Sequence, residues 1–308
     1  MNTLHFKYVA EVAKTGSITQ AAENLFMAQP NLSKAIKELE ETLGISIFRR
    51  TSKGVVLTEK GEEFLVYAKR VLTQIGRMES LAGQDSFTRK RMSFCMPAAT
   101  YISYAFSKFA RSVAHEAGVE IRMKEADFVQ GANLISDGET AFGFLRVPGE
   151  YLQYFQGFLE EKGLCFQQIW QGEYLVTVSS THALAKAGEI TDARLCDFLE
   201  VAEEEAPLPT LPGAEPIPEK TVGRKITLQG GGEIPRLLGN LENGYWWASP
   251  MPGQMLAEYG LVQRSCMGTA RKFCDLLVYP KDYTLTAMDR KFIDMVSITK
   301  NEVSLGSY

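Results

Sequence analysis

Apolar residues in the first 60 positions recur at three- and four-residue intervals in short bursts, separated by residues that end helices. Leu4, Val9, Ala10 and Ala13 mark the inward stripe of a helix over about residues 4–14, and Gly16 supplies the positive φ that its end requires. Ser17 follows as an N-cap, with Gln20 three positions on in the S-x-x-Q capping-box pattern. Ile18, Ala21, Ala22 and Leu25 give this second, short helix its buried stripe, and the two alanines admit a close crossing. A third helix begins near Pro30, whose missing N–H costs nothing at a first helical position; it buries Leu32, Ile36, Leu39 and Leu43 before Gly44 stops it. Ile47-Phe48 and Val55-Val56-Leu57 then flank a Ser-Lys-Gly turn as a two-stranded hairpin.

After the hairpin the period lengthens. Thr58 caps a long helix running to about Ala82, along which Phe64, Ala68, Val71, Ile75, Met78 and Ala82 alternate by four and three. Such a heptad seam either packs on the chain's own domain or, the preferred reading, meets a partner helix as a dimerisation linker. Residues 83–91 turn polar and mark a hinge. Beyond it, a strand at Met92–Met96, a turn at Pro97–Thr100, an amphipathic helix to Glu116 and a strand at Val119–Met123 predict a βαβ unit with parallel strands. A helix near 131–136 and the apolar run Ala141–Leu145 continue this series. A second series starts near Leu164, with a strand at Tyr174–Val178, a loop at Ser180–Leu184, and Gly230-Gly231-Gly232 before a helix at 234–243. A strand at Asp275–Tyr279 and a closing helix at 286–297 complete a pattern that fits two α/β lobes crossed more than once by the chain.

The chemistry of the first 58 residues points to nucleic acid. Gln29, Asn31, Ser33, Lys34 and Lys37 share the outer face of the third helix, able to address base edges at its start and phosphates further along. Arg49, Arg50 and Lys53 make the hairpin tip basic. Ser17, Thr19, Pro30 and Thr58 complete the candidate contacts. The overall charge of −4 does not oppose this: residues 1–88 hold 11 Lys and Arg against 10 Asp and Glu, so the acidic excess lies beyond them. So modest a basic patch predicts that paired domains on one operator supply much of the affinity.

In these residues the chain resembles the LysR-type transcriptional regulators, a likeness that runs over essentially its whole length. It rests on Gly16-Ser17, Ala21-Ala22, Leu25, Gln29-Pro30, Ser33, Ile36, Leu39-Glu40, Leu43-Gly44, Phe48-Arg49-Arg50, Leu57-Thr58 and Gly61. Ala28 stands where the family most often has Ser, and Asn31 where it often has a small or apolar residue. The resemblance implies a winged helix-turn-helix over 1–58, a linker helix and hinge over 59–89, and a two-lobed effector-binding domain over 90–308, built like a periplasmic binding protein. Lobe one would comprise 90–164 and 268–308, and lobe two 165–267. It also implies a small-molecule effector in the cleft, touching Pro97, Ala98, Ala99, Thr100, Tyr101, Phe128, Gln130, Gln229, Gly230, Gly231, Gly232 and Glu233. Helix starts at Thr100 and after the glycine run would expose N–H groups, so a small organic anion is the expected ligand. Ala141-Phe142-Gly143 replaces a segment that usually contains Asp, and Glu242–Trp247 replaces a Gly-Leu-Gly pattern. Tyr245, Trp246 and Trp247 belong either to the core or to the cleft wall.

The expected protein is thus a sequence-specific, effector-controlled regulator that binds promoter DNA as a homodimer or homotetramer. A non-specific architectural DNA-binding protein with a small-molecule module is the alternative. No apolar run nears the length of a membrane span and no signal peptide precedes the first helix, so a cytoplasmic, nucleoid-associated protein is expected. Neither metal nor cofactor is expected, and no enzymatic activity: His5, His115 and His182 lack ligand spacing, and no nucleophile elbow or phosphate loop occurs. Five scattered cysteines without C-x-x-C exclude a disulfide framework or zinc site. Most are expected to be buried packing residues; only Cys266 and Cys274, near in sequence, raise the idea of a redox switch, which the resemblance suggests because some relatives form a disulfide.

Overall fold

The computed structural model describes residues 2–52, 54–82, 90–204, 223–268 and 271–304. It divides into two units, Met1–Thr88 with Ser136–Glu139, and Arg89–Ile135 with Thr140–Tyr308. Among the described residues no helix is long and apolar enough to cross a membrane.

The first unit runs α1 (Thr3–Thr15), α2 (Ile18–Asn24), α3 (Gln29–Leu43), β1 (Phe48–Thr51), β2 (Gly54–Leu57) and α4 (Glu59–Ala82). Asn2 caps α1, accepting from the Leu4 N–H, and Gly16 closes it at φ 65°. The buried arc of α1 is Phe6, Val9 and Val12; Leu4 is 46% exposed, and Ala10 and Ala13 are half-buried. The arc is turned from the expected one because α4 packs across α1, with the Phe6 and Phe64 rings 5.9 Å apart. The capping box of α2 is half made. Ser17 Oγ accepts from the Gln20 N–H at 3.3 Å, but the Gln20 side chain donates to Glu23 and Asn24, and the Ser17 N–H finds Thr15 Oγ1. Leu32, Ile36 and Leu39 of α3 are buried as expected, Leu43 only partly.

The α4 seam is divided. Phe64 and Ala68 face their own unit, where α1 crosses the first half of the helix, so they are not free for a partner. Val71 and Met78 remain 39% and 67% exposed and Ile75 half-buried, while the Ala82 side chain lies outside the described residues.

The second unit holds β3 (Lys90–Met96), α5 (Tyr101–Val113), β4 (Val119–Glu125), α6 (Phe128–Ser136), β5 (Phe142–Pro148), α7 (Leu152–Glu161), β6 (Leu164–Glu173), β7 (Leu175–Ser179), α8 (Asp192–Leu195), β8 (Leu199–Glu203), β9 (Lys225–Leu228), α9 (Ile234–Gly239), β10 (Gly244–Ala248), α10 (Gly253–Glu258), β11 (Leu261–Arg264), β12 (Lys272–Pro280) and α11 (Ala287–Ser304). Its strands form two five-stranded sheets ordered β4-β3-β5-β12-β6 and β9-β8-β10-β7-β11. In both, three parallel strands are followed by two that pair antiparallel. Strand β5 is apolar apart from Arg146 because both its faces are covered. Phe142 and Phe144 join the core beneath α5 and α11, whereas Leu145 and Val147 join that of α6 and α7.

Residues 165–173, assigned from sequence to lobe two, lie in β6 and pair along β12, so the first sheet keeps them. The chain passes between sheets at Tyr174, whose N–H donates to the Arg271 carbonyl on the returning segment at 2.8 Å. Cys274 is sealed in the first lobe, its thiol pushed up to about 11 by burial, so it is not an accessible partner for Cys266. Tyr245 and Trp247 are core of the second lobe; Trp246 is partly buried and packs in a cluster with Ala98 and Ala99 of the first.

One charged pair lies inside the first lobe. Arg146 on β5 faces Asp275 on β12 in register, with bidentate bonds of 2.7 and 2.9 Å, and the guanidinium stacks 4.4 Å over the Phe273 ring. Burial alone would lower the Arg146 pKa, but the carboxylate raises it above its ordinary value. Removing the carboxylate strands a buried cation. We therefore expect Asp275→Ala to destabilise the second unit by about 3–5 kcal/mol, read as a lowered urea midpoint; the joint replacement of Arg146 and Asp275 by Met and Leu should cost much less.

Candidate nucleic-acid interface and ligand cleft

Helix α3 starts openly. Its N-cap, Ala28, has no side chain to satisfy the first N–H groups, and Ala28, Gln29, Pro30 and Asn31 are all exposed. An uncapped helix start presents partial positive charge and free donors to an approaching anion. Ser33 is half-buried beside them. Lys34 and Lys37 extend from the same helix, each in a loose i,i+4 pair with Glu38 or Glu41 at 3.7 and 3.6 Å. Such exposed pairs are worth well under about 1 kcal/mol and release their lysines readily.

The hairpin is locked to α3 by one carboxylate. Glu40 Oε1 accepts from the N–H groups of both Ile47 and Phe48, at 2.6 and 3.0 Å, fixing where β1 begins. Two glycines complete the seat. A Cβ at Gly61 would collide with the Ile47 carbonyl oxygen, and one at Gly54 with that of Gly16, which itself accepts from the Val55 N–H at 2.9 Å. On the hairpin Arg49 pairs with Val56 and Arg50 with Val55, so alternation sends the two arginines to opposite faces and divides the converging set expected from sequence. Both are exposed. Lys53 lies outside the described residues.

Two candidate contacts are committed elsewhere. Thr58 Oγ1 accepts from the Gly61 N–H at 2.9 Å and donates to the Ser46 carbonyl, while Ser17 Oγ caps α2; Thr19 is exposed.

The second unit brings the turn after β3 against the glycine run before α9. A Cβ on Gly231 would lie 3.2 Å from the Ala98 Cβ and 2.9 Å from Glu203 Oε2; one on Gly230 would lie 3.2 Å from Glu125 Oε1. Ala99 holds φ 46°, a left-handed conformation that costs an alanine about 1–2 kcal/mol. Sequence reasoning missed the carboxylates here. Glu125 ends β4, Glu203 ends β8 and Asp127 caps α6 through the Gln130 N–H at 2.9 Å. Desolvation and the Glu125 charge push Glu203 above the ordinary carboxylate range, against a hydrogen bond from the Gly231 N–H.

The anion cradle expected from sequence is therefore filled by the chain itself. Gly231 serves Glu203, and Thr100 caps α5 with its own hydroxyl, accepting from the Ile102 N–H at 3.2 Å. Other expected contacts also fall away from the cleft. Phe128 is core, its ring 4.4 Å from that of Phe155; Tyr101 is buried against Trp170; Glu233 pairs with Arg236 on the surface. Gln130 and Gln229 are exposed and Pro97 half-buried. A strand-end acid preceding a helix start could have flagged Glu125, which lies before α6.

Residues 4–62 match the family described as bacterial regulatory helix-turn-helix protein, lysR family. That match lies within the first unit. The chain is 32% identical over 146 residues to the uncharacterized HTH-type transcriptional regulator YcgK of Bacillus subtilis, covering 47% of its own length and 45% of that relative. It thus spans about half the length of that relative. Its fold is that of ArgP from Mycobacterium tuberculosis, with TM-score 0.58 and 17% identity over 96% of both chains. It is also that of CbnR complexed with its target DNA, with TM-score 0.57 and 17% identity over 97% of this chain and 100% of that one.

If Glu40 seats the hairpin, Glu40→Ala leaves two part-buried N–H groups unpaired. We expect a loss of about 2–3 kcal/mol in the first unit, seen as an earlier thermal transition, with Glu40→Gln losing less because its amide oxygen still accepts.

Proposed function

We propose that this chain is a sequence-specific DNA-binding transcription regulator whose second unit takes a small molecule between its sheets. The observation that carries the reading is the bare, uncapped start of α3 beside a basic hairpin that Glu40 holds in place. Gln29, Asn31 and Ser33 enter the major groove and discriminate bases, while Lys34, Lys37 and the hairpin arginines neutralise phosphates. Val71, Ile75 and Met78 on α4 carry a dimer seam, with a tetramer as the expected assembly, so that paired domains address a two-part operator. The ligand acts by binding two lobe arrangements with different affinity.

Titration of the protein against the duplex upstream of its own coding sequence and a scrambled duplex, by fluorescence anisotropy across salt concentrations, tests the reading. We expect at least a hundredfold preference for the upstream duplex. Ser33→Ala should shrink that preference, whereas the joint change Arg49→Ala and Arg50→Ala should weaken both duplexes alike and flatten the salt dependence. Equal, steeply salt-dependent binding of both duplexes by the parent protein would favour an architectural role.

The ligand expected is neutral or cationic, because an anion entering between Ala98 and Gly231 meets Glu125, Asp127 and Glu203. In a thermal-shift series, amines and uncharged polar compounds should include stabilisers, and matched carboxylates should not; stabilisation by carboxylates alone would reverse the assignment.

A further inference from the structure

Helix α2 ends in a Schellman closure. The Met27 N–H donates to the Ala22 carbonyl and the Phe26 N–H to that of Glu23, both at 3.0 Å, which places Phe26 at the left-handed position after the helix. Its φ is 53°. The other two helix ends of this kind among the described residues of the unit, at Gly16 and Gly44, use glycine at φ 65° and 67°. Glycine takes that conformation without steric cost, and a residue with a bulky Cβ substituent does not. The strain is not offset by packing, because Phe26 is 98% exposed. The hydrophobic contact that usually accompanies such a closure is made instead by Met27, which packs into the core with Ala22.

An aromatic ring is thus held out in solvent, in a strained conformation, at the end of the one turn that leads into α3. It stands two residues before the exposed run Ala28, Gln29, Pro30 and Asn31. Strain that the free protein does not repay marks positions repaid by a partner. The adjoining surface is the helix start that meets the groove in the function proposed above, on which this inference rests. We infer that Phe26 is a DNA contact, its ring seated on a thymine methyl group at the edge of the major groove. Phenylalanine makes this apolar contact with thymine and offers nothing to phosphate. Phe26 therefore adds base preference without adding to the counterions released.

The test exploits opposite signs. Glycine and asparagine both suit the left-handed position, so Phe26→Gly and Phe26→Asn should keep or raise the thermal midpoint of the full-length protein. Their affinity for the upstream duplex should nonetheless fall about tenfold, the loss expected of one base contact, with the salt slope unchanged. Replacing the site's thymines by deoxyuridine should weaken the parent protein by a similar factor and leave Phe26→Gly unaffected. Parent-level affinity in both variants, or equal deoxyuridine sensitivity in parent and variant, overturns the inference while leaving the regulator reading intact. Failure of the parent protein to bind either duplex overturns both.

Discussion

The first unit depends on a single carboxylate with two donors. Glu40 belongs to α3, and the N–H groups it binds lie where the chain enters β1. A short hairpin of four-residue strands is marginal alone. Held at its root by α3, and pressed against the end of α1 and the start of α4 at positions where only glycine fits, it becomes an extension of α3. Charge-assisted bonds to backbone are among the stronger ones available to a protein, and this one converts the orientation of α3 into the position of Arg49 and Arg50. Two elements that touch different parts of a duplex must keep one spacing, because a misplaced phosphate contact costs the base contact its register.

Around that fixed joint, the surface that meets a ligand is left unfinished. Ala28 leaves the start of α3 uncapped, Lys34 and Lys37 have only weak exposed partners, and Phe26 is strained and solvated. Each is a small cost in the free protein, and each lowers the desolvation or rearrangement that binding demands. The second unit follows the same division. Its interior is firm around Arg146 and Asp275, while the turns at Ala98-Ala99 and Gly230–Gly232 carry strain and like charge at the place where the sheets approach.

The sequence was most legible where one helix or strand sufficed to explain its residues. Leu32, Ile36 and Leu39 marked the buried face of α3, Gly16 and Gly44 the helix ends, and Phe142 to Leu145 a strand covered on both sides. Where several elements share a residue, periodicity fell short. The α4 repeat is continuous in sequence, but α1 covers its first half, and no pattern within α4 announces that. Ser17 and Gln20 satisfy the capping-box spacing, yet Gln20 finds Glu23 and Asn24 closer on its own helix face. Residues 165–173 lie in the first sheet because β12, a hundred residues on, pairs with them.

The cleft illustrates the same limit in electrostatic form. A glycine run and a threonine before a helix read as free N–H groups awaiting an anion, and that reading assumes that the chain supplies no acceptor of its own. Here Thr100 caps its helix, and Glu203, ending a strand in the same sheet neighbourhood, takes the Gly231 donor. Glu125 then arrives from the other sheet and stands close to the same turn. The sign of this surface is thus decided by the meeting of two lobes, with one carboxylate from each, so in the proposed function the charge a ligand must carry is a property of the cleft and of neither lobe alone. A ligand that offsets this repulsion favours approach of the sheets, which is the differential affinity that coupling between ligand and lobe arrangement requires.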